Sequence, residues 1–89
     1  MTISIITLGR GRAAHLHNLI LGLTRQTRLP DELVIGVMQE AEYPDLPPAP
    51  FPVRQVLIPG EAAPLAAARN VAARAARGEM LLFLDIDCI

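Results

Sequence analysis

"TISIITLGRGRAAHLHNLILGLTRQTRLPDELVIGVM", Thr2 to Met38, decides the fold. Thr2 to Leu8 is a short apolar run rich in β-branched side chains, the pattern of a buried parallel strand. Gly9 to Arg12 read as a turn. Leu16, Leu19, Ile20 and Leu23 then recur at helical spacing, which predicts an amphipathic helix ending before Pro30. "DELVIGVM", Asp31 to Met38, is a second strand. Strand, helix and strand in succession are the unit of a parallel sheet with right-handed crossovers.

Beyond this unit, Gln39 to Pro52 holds Pro44, Pro47, Pro48, Pro50 and Pro52, a density that forbids regular helix and favours an extended path. "VRQVLI", Val53 to Ile58, is a third strand, expected at the sheet edge and closed by Pro59-Gly60. A second helix is expected from about Pro64 to Arg77. Proline suits its first turn, Gly78 suits its stop, and its alanines permit close packing on a sheet. "EMLLFLDIDCI", Glu79 to Ile89, is the fourth strand, and its run from Met80 to Leu84 reads as buried on both faces. The order β-α-β-β-α-β predicts one α/β domain over residues 1–89 with a mostly parallel, Rossmann-like sheet. Ligands of such sheets bind outside the carboxyl ends of the strands, where strand order reverses. Thr7 to Arg12, Gln39 to Glu42 and Asp85 to Asp87 occupy those ends.

Composition narrows the function classes. The chain is 52% hydrophobic and 19% charged, which supports a core and excludes a disordered tail. A formal net charge of -1 gives no basic face for nucleic acid. Cys88 is the single cysteine, so no disulfide forms within the chain and a cysteine zinc cluster is excluded. The N-terminus lacks the pattern of a secretory signal, and no apolar run is long enough to cross a membrane. The expected location is the cytoplasm.

Asp85 and Asp87 stand two apart on the fourth strand, so they share one side while Ile86 points away. Their Cβ atoms would lie about 6–7 Å apart on an extended strand. That spacing suits two tasks on one ligand, such as a sugar hydroxyl at Asp85 and a hard cation at Asp87. The bland alternative is a pair of solvated acids at a strand end. Gly9-x-Gly11-x-x-Ala14 matches a dinucleotide fingerprint. However, Arg10 and Arg12 are bulky beside the phosphate path, and Asp31 starts the second strand where a ribose-binding acid should end it. A tight structural turn is therefore the preferred reading, with Arg10 and Arg12 still placed to attract phosphate. Arg69, one turn into the second helix, has two readings: it reaches the fourth strand's end to meet a phosphate, a base or one of the two aspartates, or it is a surface arginine. Arg74 and Arg77 suit that helix's negative terminus. His15 and His17 lack the spacing of a metal pair, and solvent exposure is expected for both.

The pieces, taken in order, resemble the start of family-2 glycosyltransferases of the GT-A fold. The matching stretches are "SIITLGR", "LTRQT", "PDELVIGV", the Ala67 to Asn70 "AARN", the Ala76 to Glu79 "ARGE", and "LLFLDIDC", and they cover nearly the whole chain. The resemblance implies an N-terminal nucleotide-sugar-binding half. Thr7 and Leu8 would line the base, Asp85 would bind the ribose side, and Asp87 would hold Mn²⁺ or Mg²⁺ on the donor diphosphate. Arg69 would help shape the nucleotide pocket. Many relatives end the second strand with base-contacting aspartates. Here Val37-Met38-Gln39-Glu40 stands instead: either Glu40 substitutes as the base contact, one or two residues late, or the base contact differs, which leaves UDP-, GDP- and dTDP-sugars open as donors. The family's acceptor half and catalytic base follow the D-x-D strand, so the resemblance implies part of a longer enzyme, inactive in isolation. The acceptor, catalytic residue and stereochemistry stay open. Two further readings stand beside it: a non-catalytic nucleotide-binding module, and a haloacid-dehalogenase-like phosphatase with Asp85 as nucleophile and Asp87 as acid/base.

Overall fold

The computed structural model describes residues 1–58 and 65–85. Its elements are β1 (Ile3–Gly9), α1 (Ala13–Thr24), β2 (Glu32–Val37), β3 (Val53–Leu57), α2 (Leu65–Ala75) and β4 (Met80–Phe83). The strands form one sheet in the order β3-β2-β1-β4, and every neighbouring pair is parallel. This is the expected α/β, Rossmann-like arrangement, with β3 at an edge.

Register follows from alternation along the strands. Ile5 pairs with Leu33 and Leu82, while Ile6 pairs with Val34 and Phe83. Odd-numbered residues of β1 and β2 face α1, where Ile5, Leu33, Ile35 and Val37 pack with Leu16, Leu19, Ile20 and Leu23. Each of those α1 side chains gains about 1.5–3 kcal/mol by leaving water. Even-numbered residues face α2, where Ile6 and Val34 meet Ala72. The helices thus cover opposite faces. Crossovers of one hand require this when the chain first steps from β1 to β2 and later steps back past β1 to β4.

The link from β2 to β3 is a parallel crossover without a helix. Its prolines keep it extended, and Tyr43 and Phe51 are buried in the α1-side core, flanked by Leu46 and Ala49. Gln55 locks the strap by accepting from the Tyr43 amide (2.7 Å) and donating to the Tyr43 carbonyl (3.1 Å).

Small residues let α2 approach. Ala68 and Ala72 are fully buried. At Gly36 an added methyl carbon would lie 2.6 Å from Leu8 Cδ2, 3.0 Å from Ile58 Cδ1 and 3.4 Å from Ala72 Cβ. The first two atoms are flexible side-chain ends that can yield. Gly36→Ala is therefore expected to cost only about 1 kcal/mol by urea unfolding, since the strand gains a better strand former.

Two expectations need correction. The run from Met80 to Leu84 is not buried on both faces: Met80, Leu81, Leu82 and Phe83 are 40%, 36%, 41% and 47% exposed. β4 is an outer strand with β1 as its neighbour, and α2 packs on β2 and β1. Helix α2 also stops at Ala75, short of Arg77. The chain leaves the helix there because its next polar groups are claimed by the sheet. Arg54 Nη2 donates to the Ala75 carbonyl, the Arg77 amide donates to Glu32 Oε2 (2.6 Å), and the Gly78 amide donates to Ser4 Oγ (2.8 Å). The predicted helix start at Pro64 and the closing Pro59-Gly60 lie outside the described residues.

Candidate functional site

The chain steps from β1 to β2 and β3, then returns to add β4 on the free side of β1. Strand order therefore reverses between β1 and β4, and their carboxyl ends diverge there. A cavity of about 200 Å³ lies at this point, lined by Ile6, Leu8, Leu65, Arg69, Phe83, Leu84 and Asp85. Its floor is sheet, and α2 gives the wall that carries Arg69. Phe83 and Asp85 fall on the same side of β4, the side that faces α2, because they are two apart. Of the residues singled out in the sequence, Leu8, Arg69 and Asp85 come together here. Arg69 and Asp85 are both exposed, so a cation and a carboxylate stand at the mouth of an apolar hollow.

The other candidates are placed elsewhere. Thr7 is 1% exposed, points to the opposite face from Leu8, and does not line the cavity. Its hydroxyl has no hydrogen-bond partner among the described residues. Glu40 is exposed beyond the end of β2, with β1 between it and the cavity. Asp87 and Cys88 lie outside the described residues. Among the described residues no three His, Cys, Asp or Glu side chains gather as a metal-holding group. That bears on an all-protein cage. A magnesium-like ion carried on nucleotide phosphates needs only one or two protein carboxylates, a requirement that Asp87 would meet by chemistry.

The β1–α1 turn is built from within. Gly11 and Arg12 both take left-handed backbone (φ 64 and 55), which glycine tolerates and arginine seldom adopts. The Gly11 amide donates to Gln39 Oε1 (2.7 Å), and the Gly11 carbonyl accepts from the Tyr43 hydroxyl (2.6 Å). Arg10 Nε donates to the Met38 carbonyl at 2.9 Å. Burial raises the pKa of the Tyr43 hydroxyl, which keeps it a donor. A dinucleotide fingerprint needs its turn amides for phosphate, yet Gly11's is occupied by Gln39. Asp31 accepts from the Ile3 amide (2.6 Å), at the amino end of the sheet and remote from any ribose site. Both observations favour the structural reading of this turn. His15 is exposed, as expected, whereas His17 is half-buried and its Nε2 lies 3.0 Å from the Asp45 carbonyl oxygen.

A second polar centre, not anticipated, sits at the amino end of the sheet on the α2 face. Glu32 is 5% exposed. It accepts from Ser4 Oγ (2.6 Å), from Arg54 Nη2 (2.6 Å) and from the Arg77 amide (2.6 Å). Burial alone would raise its pKa. The Arg77 amide, the Ser4 hydroxyl and the Arg54 guanidinium outweigh that and bring it from an ordinary 4.5 down to about 2. Every contact is internal, so this centre is a clamp and not a binding site. The cavity side chains Phe83 and Leu65 were also missed as lining. Phe83 could have been found from its two-residue spacing to Asp85.

No protein-family model matches this chain, and no curated protein or solved structure matches it. The chain is an α/β protein with an all-parallel Rossmann-like sheet and a cavity at its strand-order reversal. Among the described residues, no helix is long and apolar enough to cross a membrane.

Proposed function

We propose that this chain is the donor-binding region of a family-2-like glycosyltransferase, an enzyme that moves a sugar from a nucleotide-sugar to an acceptor hydroxyl. The observation that carries the reading is the cavity between the ends of β1 and β4, with Leu8 in its wall and Arg69 and Asp85 at its mouth. This is where an open parallel sheet presents ligands. In this reading Asp85 accepts from a ribose hydroxyl and Arg69 faces the phosphates. Asp87 would hold Mn²⁺ or Mg²⁺, which when bound neutralises the diphosphate leaving group. Neither Thr7 nor Glu40 lines this cavity, and this reading gives them no contact with the donor. The cytoplasm is the compartment of this proposal, where the Cys88 thiol stays reduced.

The test is a titration of the ¹⁵N-labelled protein with UDP-, GDP- and dTDP-sugars, followed by amide shifts with and without Mg²⁺. One donor is expected to bind with a Kd of roughly 0.1–1 mM, moving the Leu8, Arg69 and Phe83 signals. Asp87→Ala should weaken binding at least ~10-fold, about 1.4 kcal/mol. Equal affinity without metal, or no shift by any donor at ~10 mM, far above that range, would sink the reading.

A further inference from the structure

The cavity at the strand-order reversal takes its walls from three elements. Ile6 and Leu8 alternate along β1 and form the floor. Leu65 and Arg69 stand one turn apart on α2, so they line the same side of the helix. Phe83 lies on the side of β4 that faces them, and it is the one aromatic among the lining residues. Beyond Arg69 and Asp85 at the mouth, every lining side chain is apolar. Phe83 and Leu65 are nonetheless exposed, so a ring and a branched aliphatic group stand open to whatever enters.

We propose that this hollow selects a pyrimidine base, stacked on Phe83, so that the donor is a uridine or thymidine diphosphate sugar and not a guanosine one. The inference rests on the donor-site reading above and adds the base to it. Size carries the first part of the argument. An apolar cavity of about 150 Å³ encloses a single benzene ring. The cavity here, about 200 Å³, fits one substituted pyrimidine ring and falls short of the fused rings of a purine. The walls carry the second part. An aromatic side chain recognises the face that every base presents, and it does so without reading the edge. Guanine has adjacent N–H donors at its edge, and enclosing them without an acceptor is costly. Glu40 stands across β1 from the cavity, and Asp85 is given to the ribose, so no lining residue is left to accept from them. With the edge unread, ring size decides the choice. The methyl group of thymine adds only apolar contact, so dTDP should bind within about 4-fold of UDP.

The test titrates the ¹⁵N-labelled whole chain with UDP, dTDP, GDP and ADP at saturating Mg²⁺ and follows the Leu8, Arg69 and Phe83 amides. UDP and dTDP should bind with a Kd of roughly 0.1–1 mM, and GDP and ADP at least ~10-fold more weakly. Phe83→Leu keeps an apolar side chain at an exposed position, so the fold stands, while UDP binding should weaken about 10-fold. Magnesium diphosphate, which has no base, is the control and should bind both proteins alike. Phe83→Ala removes the wall and should bring GDP to within about 3-fold of UDP. If that variant fails to fold, Phe83→Leu decides alone. Purines that bind as tightly as pyrimidines overturn this inference and leave the donor site standing, as does an unchanged UDP constant in Phe83→Leu. Binding of no nucleotide at all overturns both.

Discussion

Glu32→Ala is expected to destabilise the protein by about 3–5 kcal/mol, the range for removing one partner of a buried ionic cluster. The loss strands several groups at once. Ser4 Oγ loses its acceptor, the Arg54 guanidinium loses its counter-charge, and the Arg77 amide is left without a partner in a part-buried site. Small domains have a total stability of only about 5–15 kcal/mol, so this variant should approach the unfolding threshold at 37 °C. The same carboxylate sets an acid limit. Its folded pKa of about 2 lies below the ordinary 4.5, so the folded state favours the ionised form. Its contribution is complete above pH 4.5 and is lost as pH falls through about 2. Across that window it amounts to on the order of 3 kcal/mol. Urea unfolding between pH 2 and pH 7 measures the slope directly. Glu32→Gln keeps the shape and removes the titration, so its stability should stay flat over the interval where wild type falls. An equal acid slope in the two proteins would exclude Glu32 as the cause.

Gly78→Ala should be nearly as damaging, at about 3 kcal/mol, although it adds a single methyl group. The new carbon would lie 2.5 Å from Ser4 Oγ, 2.7 Å from the Ser4 amide nitrogen and 3.1 Å from the Ile3 carbonyl carbon. Two of these are backbone atoms of β1, held from both sides by β2 and β4, so they cannot yield as the Leu8 end does beside Gly36. Either the strand or the α2–β4 connection must move, at the upper end of the range for overpacking. Such a move also breaks the Gly78 bond to Ser4 Oγ that completes the Glu32 cluster. The decisive comparison is with Gly36→Ala under the same urea conditions. Equal costs at the two glycines would show that the close approach to Ser4 relaxes readily.

Apolar runs and helical spacing located the four strands and α1, because Ile5, Leu16, Ile20, Leu33 and Ile35 are core residues whose burial is local to their own strand or helix, while α2 was placed by Pro64, Gly78 and its alanines. What the pattern misread depends on neighbours. Met80 to Leu84 has the composition of an inner strand, but burial on two faces requires layers on both sides, and adjacency is decided by topology. In the sequence Gly78 suits the stop of the second helix. It is needed instead because Ser4 lies against it, a contact across 74 positions. The Glu32 clamp was missed for the same reason, although Ser4, Glu32 and Arg54 sit on one face once the register is known. The candidate site was legible in part. Leu8, Arg69 and Asp85 do meet, because strand ends and the first turns of a following helix are brought together by any parallel sheet. Thr7 follows the alternation of β1 to the other face.

β1 has consequences for how the chain acquires its fold. Its central position gives it one neighbour that follows soon after and another, β4, that pairs Ile3 with Met80. Such sequence-distant pairing raises the contact order, which places folding in the millisecond-to-second regime instead of the microsecond one of helical bundles. During synthesis β1, α1 and β2 can assemble early. Ser4 and Glu32, however, stay exposed to solvent on one side until Arg77 and Gly78 have left the ribosome. The half-built sheet is thus held in an uncommitted state until β4 emerges and closes against β1.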